Sequence, residues 1–190
     1  GGANASGTYL RNRRKAAAAK AKASGKNEDA ELASIVDVDY IDGKLVVAAG
    51  DINQLVLRLT YESLPDPDYV ATFLLTFRLF TTPADLLNML VDRFNGERQE
   101  KLDSEEKKRI SLIRLRVSAV LKTWIQSYWT DLKEDDILVQ RMIRFLENDM
   151  PKANMESQAA HLQQVLEQKA SQRGKTIFDA KELMFDHEPP

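Results

Sequence analysis

From Asp51 to Arg173 large apolar residues recur at spacings of three and four, and helix-starting signals cut the run into segments. Asp51 is placed to cap a helix whose Ile52, Leu55, Val56 and Leu59 share a face, and Ser63-Leu64-Pro65 breaks it. Asp66-Pro67 restarts the pattern with an acceptor at the N-cap and a proline at N1, where no amide donor is needed. Val70, Phe73, Leu74 and Phe77 form the stripe of a helix over 67–80. Leu75, Leu79 and Phe80 widen that stripe, which predicts a central position. Thr82-Pro83 repeats the device, with Asp85 reaching back. Leu86, Leu87, Leu90, Val91 and Phe94 follow, and Asn95-Gly96 stops that helix.

The longest helix is predicted from about 105 to 129, started by Ser104-Glu105-Glu106. Its Ile110, Ile113, Val117, Val120, Leu121, Trp124 and Tyr128 make one stripe along ~5 turns. A helix over roughly 137–149 should bury Ile137, Leu138, Met142, Phe145 and Leu146 and end at Pro151. Asn154 is read as the cap of a last helix reaching Arg173, with Gly174 closing it. Its stripe, Met155, Ala159, Leu162 and Leu166, is thin and suits an edge.

Asp42-Gly43 between β-formers signals a short hairpin ahead of the first helix. The expected fold class is therefore all-α: a single domain of about six helices, one hairpin and a disordered N-terminal tail. The chain carries a net charge of −2, but its first 26 residues carry +7 with no acid, leaving −9 for the remainder. Those 26 residues are rich in Ala, Gly and Ser, a composition that predicts disorder and, as a function, a weak tether to an anionic membrane or nucleic acid. The expected organisation is a basic-then-acidic tail over 1–36, a helical domain over 37–174 and a C-terminal segment over 175–190. That segment holds Ile177, Phe178, Leu183, Met184 and Phe185, so it either docks on the core or meets a partner. The chain opens Gly1-Gly2 rather than with Met, as a fragment or processed chain does.

Missing residues exclude much chemistry. With no cysteine and two distant histidines, His161 and His187, neither a zinc-thiolate site nor a cysteine nucleophile nor a multi-histidine centre is expected. Gly174-Lys175-Thr176 resembles the end of a phosphate loop, but Lys169 stands where that loop needs its first glycine. The acids from Asp37 to Asp42 miss calcium-loop spacing, and Ala48 occupies the position of the bidentate Glu. Asp135-Asp136 are better suited to starting a helix than to acid–base work, because adjacent helical side chains point apart. No catalytic residue, cofactor or metal is expected.

Two groups ask for more than packing. In the helix 67–80, Thr72 and Thr76 should bond back to carbonyls and Arg78 should close an ion pair with a neighbouring helix. Near the end of the longest helix, Trp124 reads as core, while Tyr128 and Trp129 read as a rim that could anchor a partner.

Three strings carry a resemblance. They are Ala49-Gly50-Asp51-Ile52-Asn53-Gln54-Leu55-Val56-Leu57-Arg58-Leu59-Thr60, then Leu64-Pro65-Asp66-Pro67-Asp68-Tyr69-Val70, then Thr72-Phe73-Leu74-Leu75-Thr76-Phe77-Arg78-Leu79-Phe80-Thr81-Thr82-Pro83. Together with Leu115-Arg116-Val117 and Leu138-Val139-Gln140-Arg141-Met142, they resemble the Ras-exchange-motif domain, the N-terminal module of Ras-family guanine nucleotide exchange factors. The likeness covers about residues 45–150, and departs at Asp51, where the family usually has Thr.

The resemblance implies a non-catalytic module that buttresses a RasGEF catalytic domain through apolar contacts and has no exchange activity alone. It implies that catalytic domain as a partner, a Ras-family GTPase as a second one, and a cytoplasmic location with the basic tail able to meet a membrane; no nucleic acid is expected. Leu115 and Arg116 match a pair that contributes to a second Ras site in one branch of the family, and they join Trp129 as partner-binding candidates. The alternative function is a helical adaptor that binds a small GTPase directly.

Overall fold

The computed structural model describes the backbone of residues 2–96 and 103–171, with side chains from Tyr9 onward. The chain divides into two compact units at Pro65/Asp66.

In the N-terminal unit, helices α1 (Gly2–Ala23) and α2 (Asn27–Ile35) precede strands β1 (Asp37–Ile41) and β2 (Lys44–Ala49) and helix α3 (Ile52–Leu59). The strands pair antiparallel with Ile41 opposite Lys44, and the turn residues Asp42 and Gly43 have φ of 50° and 78°. Two positive φ values are what a type I′ turn demands, so the expected hairpin forms as the Asp-Gly signal predicts. Asp51 caps α3 in a reciprocal box: its carboxylate accepts from the Gln54 amide at 2.9 Å, and the Gln54 side chain accepts from the Asp51 amide.

The basic segment carries helix α1, which packs on the hairpin. Alanine is the strongest helix former, and its small side chain lets α1 lie close: Ala17 is buried in a cluster with Ile35, Val36 and Val38. Arg13 and Arg14 of α1 reach Asp39 and Asp37 of β1. The acidic stretch after it forms α2.

The C-terminal unit is built on α6 (Ser104–Ser127), which touches α4 (Pro67–Thr76), α5 (Pro83–Asn95) and α9 (Glu156–Ser171). The centre of this unit is therefore α6 rather than the helix over 67–80. Asp66 and Thr82 cap α4 and α5 ahead of their N1 prolines, and Gly96 at φ 62° closes α5. Asp85 reaches back to the Thr82 hydroxyl at 2.6 Å. The cap of α6 is Asp103, one residue before the expected Ser104; it forms a reciprocal box with Glu106.

The buried face holds Leu86, Leu87, Leu90 and Phe94 of α5 against Val117, Val120, Leu121 and Trp124 of α6. An aromatic file, Phe73, Phe77 and Trp124, runs through it, with Phe77 meeting Trp124 edge-on at 5.6 Å. Arg114 lies over the Phe94 ring at 5.3 Å, and burial lowers its guanidinium pKa from the ordinary value.

Four residues expected in buried stripes are exposed: Phe80, which lies past the end of its helix, and three that share a geometric reason. Leu75 and Leu79 lie about 100–160° around the helix from Phe73, Leu74 and Phe77, and they are exposed. Ile137 sits about 100° from Leu138 on α7 (Asp136–Arg144) and is exposed as well, while Val139 and Ile143 are buried with Leu138 and Met142. Leu75 and Ile137 adjoin core residues in sequence, and Leu79 lies two positions from Phe77.

Proline 151 does not end its helix directly. A π turn over Phe145–Asp149 follows α7, and α8 (Met150–Lys152) carries Pro151 inside it. The widened turn accommodates a ring that would otherwise press on the carbonyl four residues earlier. Asn154 closes this helix rather than capping the next: its φ is 59°, its amide bonds Pro151 O, and the Met155 amide bonds Met150 O. The expected closure at Gly174 and docking of residues 175–190 lie outside the described residues.

Candidate interaction surface

Arg78 stands in a three-ten turn, Phe77–Leu79, that continues α4. The turn leaves carbonyls of α4 without their usual partners, and Arg78 answers one of them: its Nη1 donates to Leu74 O at 2.8 Å. The other edge of its guanidinium grips both oxygens of Asp131, with Nε donating to Oδ1 at 2.5 Å and Nη2 to Oδ2. Asp131 ends a second three-ten turn, Trp129–Asp131, just past α6. Its carboxylate also accepts from the Trp124 indole N–H at 2.7 Å. The Tyr128 hydroxyl donates to Ala71 O at 3.0 Å, and the guanidinium carbon lies 4.4 Å from the Phe77 ring centroid.

This is a clamp. The Asp131 side chain is only 6% exposed, so its charge needs every one of these donors, whereas Arg78 is 35% exposed. The predicted ion pair of Arg78 is present, with a turn rather than a helix as its partner. Thr76 bonds back to Thr72 O at 2.8 Å, also as expected. Trp124 is fully buried, and Tyr128 and Trp129 are half-buried.

What the clamp holds still is apolar. Leu75, Leu79 and Phe80 are 65%, 85% and 48% exposed, and Phe80 packs edge-on against Phe73 at 5.9 Å. Leu75 and Leu79 are one turn apart and share a face. Exposed large side chains grouped on a fixed turn mark a contact surface. Sequence reading missed this surface, although the helical angle of Leu75 and Leu79 relative to Phe73 and Phe77 carries the signal.

The sequence candidates occupy other ground. Leu115 is exposed and Arg116 half-buried in the middle of α6. Trp129 lies about 20 Å further along at 1.5 Å per residue, so the three do not form one site. The Trp129 indole Nε1 is buried without a hydrogen-bond partner among the described residues. Leu115 lines a groove of about 310 Å³ between α6 and α9, together with Ala119, Lys122, Gln158 and His161. Among the described residues no three acids, histidines or cysteines gather where they could hold a metal ion, and no helix is long and apolar enough to cross a membrane.

The fold and this surface define a helical module that presents a braced apolar face. A family model, the RasGEF N-terminal motif, matches residues 46–145, just over half of the chain, and the chain belongs to that family. It is similar to Ras guanine nucleotide exchange factor J of Dictyostelium discoideum, at 39% identity over 111 residues, covering 57% of this chain and 13% of that protein. Exchange factor I of the same organism is 38% identical over 135 residues, 70% of this chain and 16% of the relative. The protein son of sevenless of Drosophila melanogaster is 27% identical over 179 residues, 78% of this chain and 11% of the relative. The chain thus spans less than a fifth of the length of each of these relatives.

Proposed function

We propose that the chain is the non-catalytic, supporting module of a Ras-family guanine nucleotide exchange factor, seating a catalytic RasGEF domain in the cytoplasm. The observation that carries this reading is the braced apolar face of Leu75, Leu79 and Phe80. Such a face is costly to leave in water and cheap to keep if a partner covers it. The chain alone should not speed release of a fluorescent GDP from a Ras-family GTPase. It should bind a RasGEF catalytic domain, and Leu75→Asp with Leu79→Asp should abolish that binding while leaving the helical circular dichroism intact. Exchange activity from the chain alone, or undiminished binding by the double variant, would sink the proposal.

A second reading has one observation in its favour: Leu115 is exposed beside the α6–α9 groove, with Arg116 next to it. In that reading the module binds a GTP-loaded Ras-family GTPase directly, and Leu115→Glu and Arg116→Ala weaken the titration. Trp129 is the third partner-binding candidate, and its fluorescence should respond if a partner reaches the end of α6.

A further inference from the structure

Six of the seven cations of the N-terminal segment lie on α1 and are sorted by the fold, and the seventh, Lys26, follows the helix. Arg13 and Arg14 are held by Asp39 and Asp37, at 2.8 and 3.4 Å, and the Lys20 ammonium lies 4.4 Å above the Tyr40 ring. These three point to the side of α1 that buries Ala17 and Ala21. Arg11, Lys15 and Lys22 are exposed and have no ion-pair partner among the described residues. At about 100° per residue they fall within about 40° of arc, turned well away from Ala17. Over eleven residues they span about 16 Å.

We infer that this outer stripe of α1 is a docking surface for an anionic lipid bilayer. The first 26 residues contain no acid, so nothing within the segment opposes the stripe, even though the whole chain is net negative. The stripe is straight and convex, with small Ala19 beside it, so that three cations on one line of a rigid rod can approach a plane of headgroups together. A nucleic-acid groove would call for curvature and a stacking aromatic, and the one exposed aromatic on α1, Tyr9, lies about 160° around the helix from Arg11. The inference is independent of the docking of a catalytic domain, which involves other residues.

The test is co-sedimentation of the full 190-residue chain with vesicles of 30% phosphatidylserine in phosphatidylcholine, against pure phosphatidylcholine. Binding should be confined to the anionic vesicles and should fall between 50 and 500 mM salt as surface charges are screened. Replacing Arg11, Lys15 and Lys22 together with glutamine should lower the partition coefficient about a hundredfold, from the usual contribution per basic residue at such a surface. Replacing Lys107, Lys108 and Lys152 with glutamine makes the same change in net charge elsewhere, and should lower it less than threefold. Glutamine supports helix, and matched circular dichroism spectra check that α1 persists. Equal losses in the two triple variants, equal binding to neutral vesicles, or tighter binding to a single-stranded oligonucleotide at the same salt would each overturn the inference.

Discussion

Replacing Arg78 with alanine tests whether the clamp is what fixes the end of α4. The variant strips two charge-assisted bonds from a carboxylate that is 6% exposed. Removing one partner of a buried pair costs about 3–5 kcal/mol. Arg78 is itself about a third exposed, so water can follow it out and take over part of its role, and the figure should be discounted to about 2–3 kcal/mol. Asp131→Ala instead leaves the Trp124 indole N–H without its acceptor, a cost of about 1–3 kcal/mol beyond the lost pair. That extra cost is present in Asp131→Ala and in the double variant alike, so it cancels from the coupling energy. Urea unfolding of the wild type, both single variants and the double should give a coupling of about 1.5–2.5 kcal/mol, and Arg78→Ala should lower the Tm by about 5–10 °C. A coupling below about 0.5 kcal/mol would refute the reasoning, because it would mean that Arg78 and Asp131 act on stability independently.

Three further outcomes are expected. Phe94→Ala should destabilise the C-terminal unit by about 3–5 kcal/mol in urea unfolding, since the ring is fully buried and meets Phe145 edge-on at 5.0 Å. Gly43→Ala should cost about 1–2 kcal/mol in thermal unfolding of the N-terminal unit; nothing lies within 4 Å of the added methyl, so the loss comes from backbone alone at φ 78°. Asp103→Ala should cost about 1 kcal/mol and speed amide exchange over the first turn of α6, because the carboxylate that accepts from the Glu106 amide is lost while the backbone half of the box remains.

Most of the fold was legible because local rules and packing agree. Asp-Gly fixed the hairpin, Asp-Pro and Thr-Pro fixed two helix starts, and Gly96 fixed a stop; in each the residue type has few conformational alternatives. The failures share one form. Leu75, Leu79 and Ile137 are apolar residues beside or two positions from core residues in sequence, and only their angle about the helix separates them from the core. Asn154 suits an N-cap and a left-handed closure equally well, and the position of Pro151 three residues earlier decides between them. For α1, composition shows how little apolar surface the segment has to bury. It cannot show that β1 offers two carboxylates and a ring to three of its cations, because that pairing exists only once the chain has folded back across about 25 residues.

The clamp also explains why so polar a device sits where the chain is most apolar. Leu75 stands in the last turn of α4, and Leu79 and Phe80 stand at the end of the turn that follows, where regular helical hydrogen bonding has been lost and a helix end would ordinarily fray. The buried Phe77 ring holds the start of that turn, but Leu79 at its end faces outward and adds no packing. The turn is held from behind instead, by a guanidinium that bonds Leu74 O on one edge and a buried carboxylate past α6 on the other. Trp124 ties that carboxylate to the core through its indole, and Phe77 meets the same indole edge-on. The position of the exposed face is therefore set by the central helix of the unit and not by local propensity. A surface positioned in this way is what the proposed supporting role requires.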